Sequence, residues 1–215
     1  KNIFGAIASI MFILLTLKMV VCWKSVKEEM NNPVIASVIP TYSMAMMILS
    51  GYLKPYSASA GAGLWWLGVI IHVVLIVVYT KNFICGFKIN KIFPSTFIVY
   101  VGIAAASITA PAFGFEKIGQ AIFWFALATL IVLVFVIGYR VLVVKGIQEP
   151  AMPTTVIFAA PAALTLAAYL NSFTEKNISM LYFLAVLVGI LYVVGLCFLV
   201  KGLTLRFYPS YAAFT

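Results

Sequence analysis

His72 is the only ionisable side chain that falls deep inside an apolar stretch of this chain. A lone imidazole can relay a proton, ligate a metal beside other donors, or satisfy a buried polar neighbour. The first two roles need partners that the sequence withholds. It has no aspartate, and Glu28, Glu29, Glu116, Glu149 and Glu175 all fall between apolar stretches. Cys22, Cys85 and Cys197 are dispersed, and with one histidine they give no metal-ligand spacing. No glycine-rich phosphate loop, hydrolase elbow or nucleophile–base pair is visible. Intramembrane carboxylates build proton relays, cation rings and aspartyl proteolytic sites, so the residues present do not point to those functions. No enzyme, cofactor or resident metal is expected. His72 is expected to bond a neighbouring helix or a backbone carbonyl, with proton sensing as the alternative.

The remaining candidates are prolines, glycines and small side chains. Pro40, Gly102 and Pro161 each stand about two turns beyond an earlier proline, Pro33, Pro94 or Pro153. A mid-helix proline removes a backbone hydrogen bond and bends the helix. In lipid the freed carbonyl needs shelter or water. Three bends near one depth predict a common central passage. Its candidate lining is Pro40, Ser43 and Met44, then Gly102, Ala105, Ala106 and Thr109, then Pro161, Thr165 and Ala168. A passage without acids, fed by a basic face, suits anions better than cations. The opening prolines also place helix N-termini, the positive dipole ends, at its mouth.

Positioning these residues falls to membrane helices. Of the 215 residues, 65% are hydrophobic and 9% charged, so the solvent must be mostly lipid. About 20 apolar residues span a bilayer. Seven complete spans are expected, at roughly 3–23, 33–53, 62–84, 95–113, 118–139, 154–172 and 178–200, with an eighth opening at Phe207. Pro33, Pro94, Pro153 and Pro209 recur at intervals of 61, 59 and 56 residues, and each interval holds two apolar stretches. The repeating unit is a transmembrane helical hairpin. Spans that follow these prolines are rich in small residues, as in Ala159-Ala160-Pro161-Ala162-Ala163. Returning spans are aliphatic, as in Val73-Val74-Leu75-Ile76-Val77-Val78. Small residues let backbones approach and also leave space, while bulky aliphatic faces suit lipid. The pattern predicts an inner ring of proline-led helices and an outer ring of returning ones, His72 among the latter.

The net charge of +9 lies in loops beside the spans, where it sets orientation rather than binding nucleic acid. Lys18, Lys24, Lys27, Lys81, Lys88, Lys91, Arg140, Lys145, Lys201 and Arg206 share one side; Lys1, Lys54, Lys117 and Lys176 share the other. The richer side, with loops 24–32, 86–92, 145–152 and 201–206, is expected in the cytoplasm. The chain then begins outside, so a further span is expected before Lys1. All three cysteines sit on the cytoplasmic side, where thiols stay reduced. Trp23, Trp65, Trp66 and Trp124 lie near span ends as interfacial anchors. Asn177-Ile178-Ser179 reads as a chance sequon. The whole chain, 1–215, is expected to be one transmembrane domain in a multi-pass protein of the cell membrane.

Asn32-Pro33 followed by an Ile39-Pro40-Thr41 bend resembles the tellurite-resistance/dicarboxylate transporter family. So do Phe93-Pro94-Ser95, the Pro161-Ala162 helix ending in Ala168-Tyr169-Leu170, and Tyr211-Ala212-Ala213-Phe214-Thr215. The bacterial tellurite-resistance channel (TehA) and the plant guard-cell slow anion channel belong to that family. The resemblance implies an all-helical integral membrane fold of ten helices in five hairpins around a central pore, with about seven and a half helices in this chain. It also implies a homotrimer with one pore per subunit. The family's pore-occluding phenylalanine follows an aromatic–Ser/Thr pair that matches Phe214-Thr215, which puts the gate just after Thr215. The implied function is a channel-like permease for small inorganic or organic anions, or alternatively a coupled C4-dicarboxylate (malate) transporter. A seven-helix receptor or retinal protein is a remote alternative, because Lys201 lies at the end of its span rather than midway.

Overall fold

The computed structural model describes residues 2–86, 88–206, 208, 210 and 211, without the side chain of Asn2. Expectations placed on Lys1, Phe207, Pro209 and residues 212–215 lie outside them. Among the described residues every regular element is helical. Seven helices are long and apolar enough to cross a membrane: Ile3–Val21, Pro33–Leu53, Ala58–Ile84, Thr96–Phe113, Glu116–Val144, Glu149–Ser172 and Ile178–Gly202. The third starts four residues earlier than expected and the fifth runs five residues further, and each ends in a π-helical turn, Thr80–Ile84 and Arg140–Val144. The stretch expected as a loop at 24–32 is mostly the short helix Trp23–Glu29, tied back to the first span by a Lys18–Glu29 ion pair at 3.1 Å.

The alternation in composition is an alternation in burial. The proline-led second, fourth and sixth spans are 39%, 61% and 56% buried; the first, third, fifth and seventh are 6%, 28%, 33% and 17%. Small side chains permit the closer approach, and the aliphatic returning helices are left facing outward.

Two of the three expected bends stand where the sequence put them. The second span breaks at Ile39–Pro40, between the helices Pro33–Val38 and Thr41–Leu53. Asn32 caps its start, Oδ1 accepting from the Val34 and Ile35 amides. The fourth breaks at Gly102–Ile103, where the Ala105 and Ala106 amides donate to the carbonyls three residues back, those of Gly102 and Ile103. The third bend is displaced. The sixth span is a 3-10 helix over Glu149–Phe158 and turns α-helical at Ala159. Pro161 therefore sits in the first turn of an α-helix, where its missing N–H costs little. The irregularity belongs to the 3-10 segment that carries Pro153.

The second and third spans make the closest hairpin. Gly61 and Gly68 leave room for it: a Cβ on Gly68 would stand 3.1 Å from the Ser43 carbonyl, and one on Gly61 3.0 Å from that of Ser50. On the same face Trp65, His72 and Tyr79 recur every seventh residue, and all three are buried. Each bonds into the core: Trp65 Nε1 to Thr109 Oγ1 at 2.9 Å, His72 Nε2 to the Val99 carbonyl at 3.1 Å, Tyr79 Oη to Thr96 Oγ1 at 3.1 Å. Seven residues are close to two turns, so one stripe of the returning helix rivets it to the fourth span. Trp65, expected as an interfacial anchor, is instead wholly enclosed, while Trp23, Trp66 and Trp124 are exposed.

On the far side of the fourth span, Ser107 and Ser172 join the fourth, fifth and sixth spans. Ser107 Oγ donates to the Gly119 carbonyl at 2.7 Å and Ser172 Oγ to that of Ser107 at 2.6 Å.

Candidate functional site: an axial cavity at the helix bends

The three proline-led spans line a partly open cavity of about 320 Å³ at the depth of their bends, with Ala160 and Ala163 exposed along its sixth-span wall. The second contributes Met44, and the fourth Phe97, Ile98, Val101 and Gly102. The sixth adds Ile157, Ala160, Pro161, Ala163 and Leu164. None of these side chains is charged or carries a hydroxyl. Phe97 is held edge-on against Phe158, ring centroids 5.4 Å apart. Gly102 is required for the shape: a Cβ there would overlap the Ile98 carbonyl and stand 2.7 Å from Met44 Sδ.

Of the candidates read from the sequence, Met44, Gly102 and Pro161 line this cavity; the other seven do not. Pro40 is buried at the break beside it. Ala105 and Ala106 pack with Trp65, Val69 and Met47, toward the third span. Ala168 packs among Ala104, Phe123 and Tyr169. The hydroxyls are engaged inside the protein. Thr165 Oγ1 donates to the Pro161 carbonyl at 2.8 Å, and Thr109 Oγ1 to that of Ala105 at 2.9 Å. Ser43 Oγ lies 2.8 Å from both the Pro40 carbonyl and His72 Nδ1.

His72 bonds a neighbouring helix and a backbone carbonyl at once. The Val99 carbonyl only accepts, so Nε2 carries the hydrogen; in the neutral ring Nδ1 is then an acceptor, and it shares the single Ser43 hydroxyl hydrogen with the Pro40 carbonyl. In a straight helix the Ile103 amide would serve the Val99 carbonyl. The break at Gly102–Ile103 removes that bond and His72 replaces it. The imidazole is thus a brace between two bent helices. His72→Ala strands a buried carbonyl and is expected to cost about 1–3 kcal/mol of stability. It should leave most anion flux at neutral pH in molecules that remain folded. Melting the purified variant and measuring flux per folded molecule checks both halves. A stable variant without flux would instead make the imidazole part of the transport step.

Seven apolar helices, with bent spans sharing a cavity, make a multi-pass membrane protein. Residues 2–215 match the voltage-dependent anion channel family, and the chain belongs to it. This is the family, with its tellurite-resistance and plant slow anion channel members, that the proline and aromatic motifs pointed to. Its members are anion channels and transporters. No curated protein matches the chain.

Proposed function

We propose that the chain forms a channel-like path for small, weakly hydrated anions through the axial cavity. The observation that supports this most is the lining itself, which has neither acid nor base at the bends. A carrier that holds a dianion at mid-membrane needs fixed positive charge to offset its dehydration. Here no fixed charge at the bends offsets that dehydration, so nitrate should pass more readily than chloride, and malate least. The loops rich in lysine and arginine are placed in the cytoplasm, the protein in the cell membrane, and the homotrimer implied by the resemblance is part of the same reading.

The test is single cysteines in full-length protein lacking Cys22, Cys85 and Cys197. Cysteines at Ala160 and Leu164 should react with a small charged thiol reagent, applied from either side, and lower the current. Ala105 and Thr165, which the sequence placed on the passage, pack against neighbouring helices and should be silent. So should Leu75 and Val132 on returning spans. Reactivity at Ala105 with silence at Leu164 would move the path off this cavity. Malate current exceeding nitrate current would favour the dicarboxylate carrier.

A further inference from the structure

The fifth span continues past its apolar run. Its last turn widens to π over Arg140–Val144, and the chain then reverses through Lys145 at φ 55° and Gly146 at φ 69°. The reversal folds over Arg140, which is only 3% exposed. Arg140 Nη1 donates to the Lys145 carbonyl, and Nη2 to that of Gly146 at 3.4 Å. The Nε–H is buried and has no partner among the described residues. No carboxylate neutralises the guanidinium: among the described residues the one ion pair is Lys18–Glu29. A buried cation with neither counter-ion nor full hydrogen bonding is costly, and an anion accepting from that Nε–H would offset the cost.

Beside it opens a cavity of about 650 Å³, lined by Arg140 with Lys145, Asn32, Asn90, Gln148 and Phe93 among others. These come from three places in the chain: the cap of the second span, the turn before the fourth, and the segment joining the fifth and sixth. The polar groups are biased toward donors. Asn32 Oδ1 is taken by the Val34 and Ile35 amides, which leaves its N–H₂ to offer. Lys145 adds a second cation. No acidic residue lines the cavity.

We propose that this cavity, on the lysine-rich side of the membrane, binds a small planar oxyanion, with Arg140 as its buried counter-charge. The guanidinium spends part of its donor set on two carbonyls and keeps Nε–H free. A planar anion can take that hydrogen together with a neighbouring one in parallel, which a spherical halide cannot. The anion would enter the axial path from this site; that role rests on the conduction reading, whereas binding does not.

The experiment uses full-length protein in detergent, melted at constant ionic strength with chloride replaced stepwise by nitrate or by acetate. Wild type should be stabilised by nitrate in a saturable way. Acetate acting at lower concentration than nitrate would mark an organic carboxylate as the natural occupant of the same site. Asn90→Ala leaves the carbonyl clamp on Arg140 intact, and it should raise the half-saturating nitrate concentration roughly five- to ten-fold. Arg140→Gln should abolish the nitrate increment, whatever its own melting point. If Arg140 only caps the helix, the variant melts lower but the nitrate increment survives, and the proposal is overturned. No saturable increment in wild type overturns it too. Arg140-dependent nitrate binding without current for any anion would keep the site and sink the conduction reading. Current without nitrate stabilisation would do the reverse.

Discussion

Gly102→Ala should lower anion current through the full-length protein by roughly ten-fold, the change produced by about 1.4 kcal/mol of added barrier. The added methyl would overlap the Ile98 carbonyl and press on Met44 Sδ. Neither neighbour yields cheaply. The carbonyl is already held by the Gly102 amide at 3.1 Å, and Met44 is the second span's contribution to the same cavity. Relief requires the fourth span to rebuild its bend, at about 1–3 kcal/mol, the usual cost of overfilling a packed site. It also requires Met44 to move into the 320 Å³ cavity. Stability and current should therefore fall together. Single-channel or flux measurements beside a thermal melt would check this. A variant with unchanged current and a lowered melting point would mean that the bend supports the fold without shaping the path.

Trp65→Ala should be the most destabilising single truncation of a side chain, at about 3–5 kcal/mol. Trp65 is 0% exposed and meets Trp66 and Phe115 at centroid distances of 5.1 and 5.2 Å. It also packs against Met47, Val69, Ala105 and Ala106. Trp65→Phe keeps most of that volume and loses one indole hydrogen bond, so about 1 kcal/mol is expected. The Thr109 hydroxyl stays satisfied through its bond to Ala105. Trp66→Ala, at an exposed position, should change little in detergent. The comparison is made by heating purified protein and measuring the monodisperse fraction that survives. Equal losses at the two tryptophans would return Trp65 to the role of interfacial anchor.

Trp65 shows where sequence reading stopped. A tryptophan near the end of an apolar stretch fits both an interface and a core, and only the seven-residue spacing to His72 and Tyr79 separates them. That spacing was available in the sequence. The helices themselves, their alternation and the bends at Pro40 and Gly102 were legible because they follow from local composition and backbone chemistry. Pro161 was misleading for a local reason too: a proline in the first turn of a helix does not bend it. The lining was harder. Alanine and glycine serve close packing and open space equally well, and Ala105 and Ala106 turned out to do the first. The cavity at the bends is bounded instead by residues such as Phe97, Ile98, Ile157 and Leu164, types that also face lipid elsewhere in the chain. Arg140 reads in the sequence only as one of the bases flanking the spans, because nothing in its neighbours announces that the reversal at Lys145–Gly146 would bury it.

The ten residues Glu149–Phe158 rise about 2.0 Å each as a 3-10 helix, against 1.5 Å for α. With the fourteen α-helical residues Ala159–Ser172 the sixth span measures about 41 Å, some 5 Å longer than one continuous α-helix. A hydrocarbon slab is about 30 Å thick. The excess has to be taken up by tilt, by local thickening of the bilayer or by residues at headgroup depth, and a change in the 3-10 segment that shortened the span would change that demand.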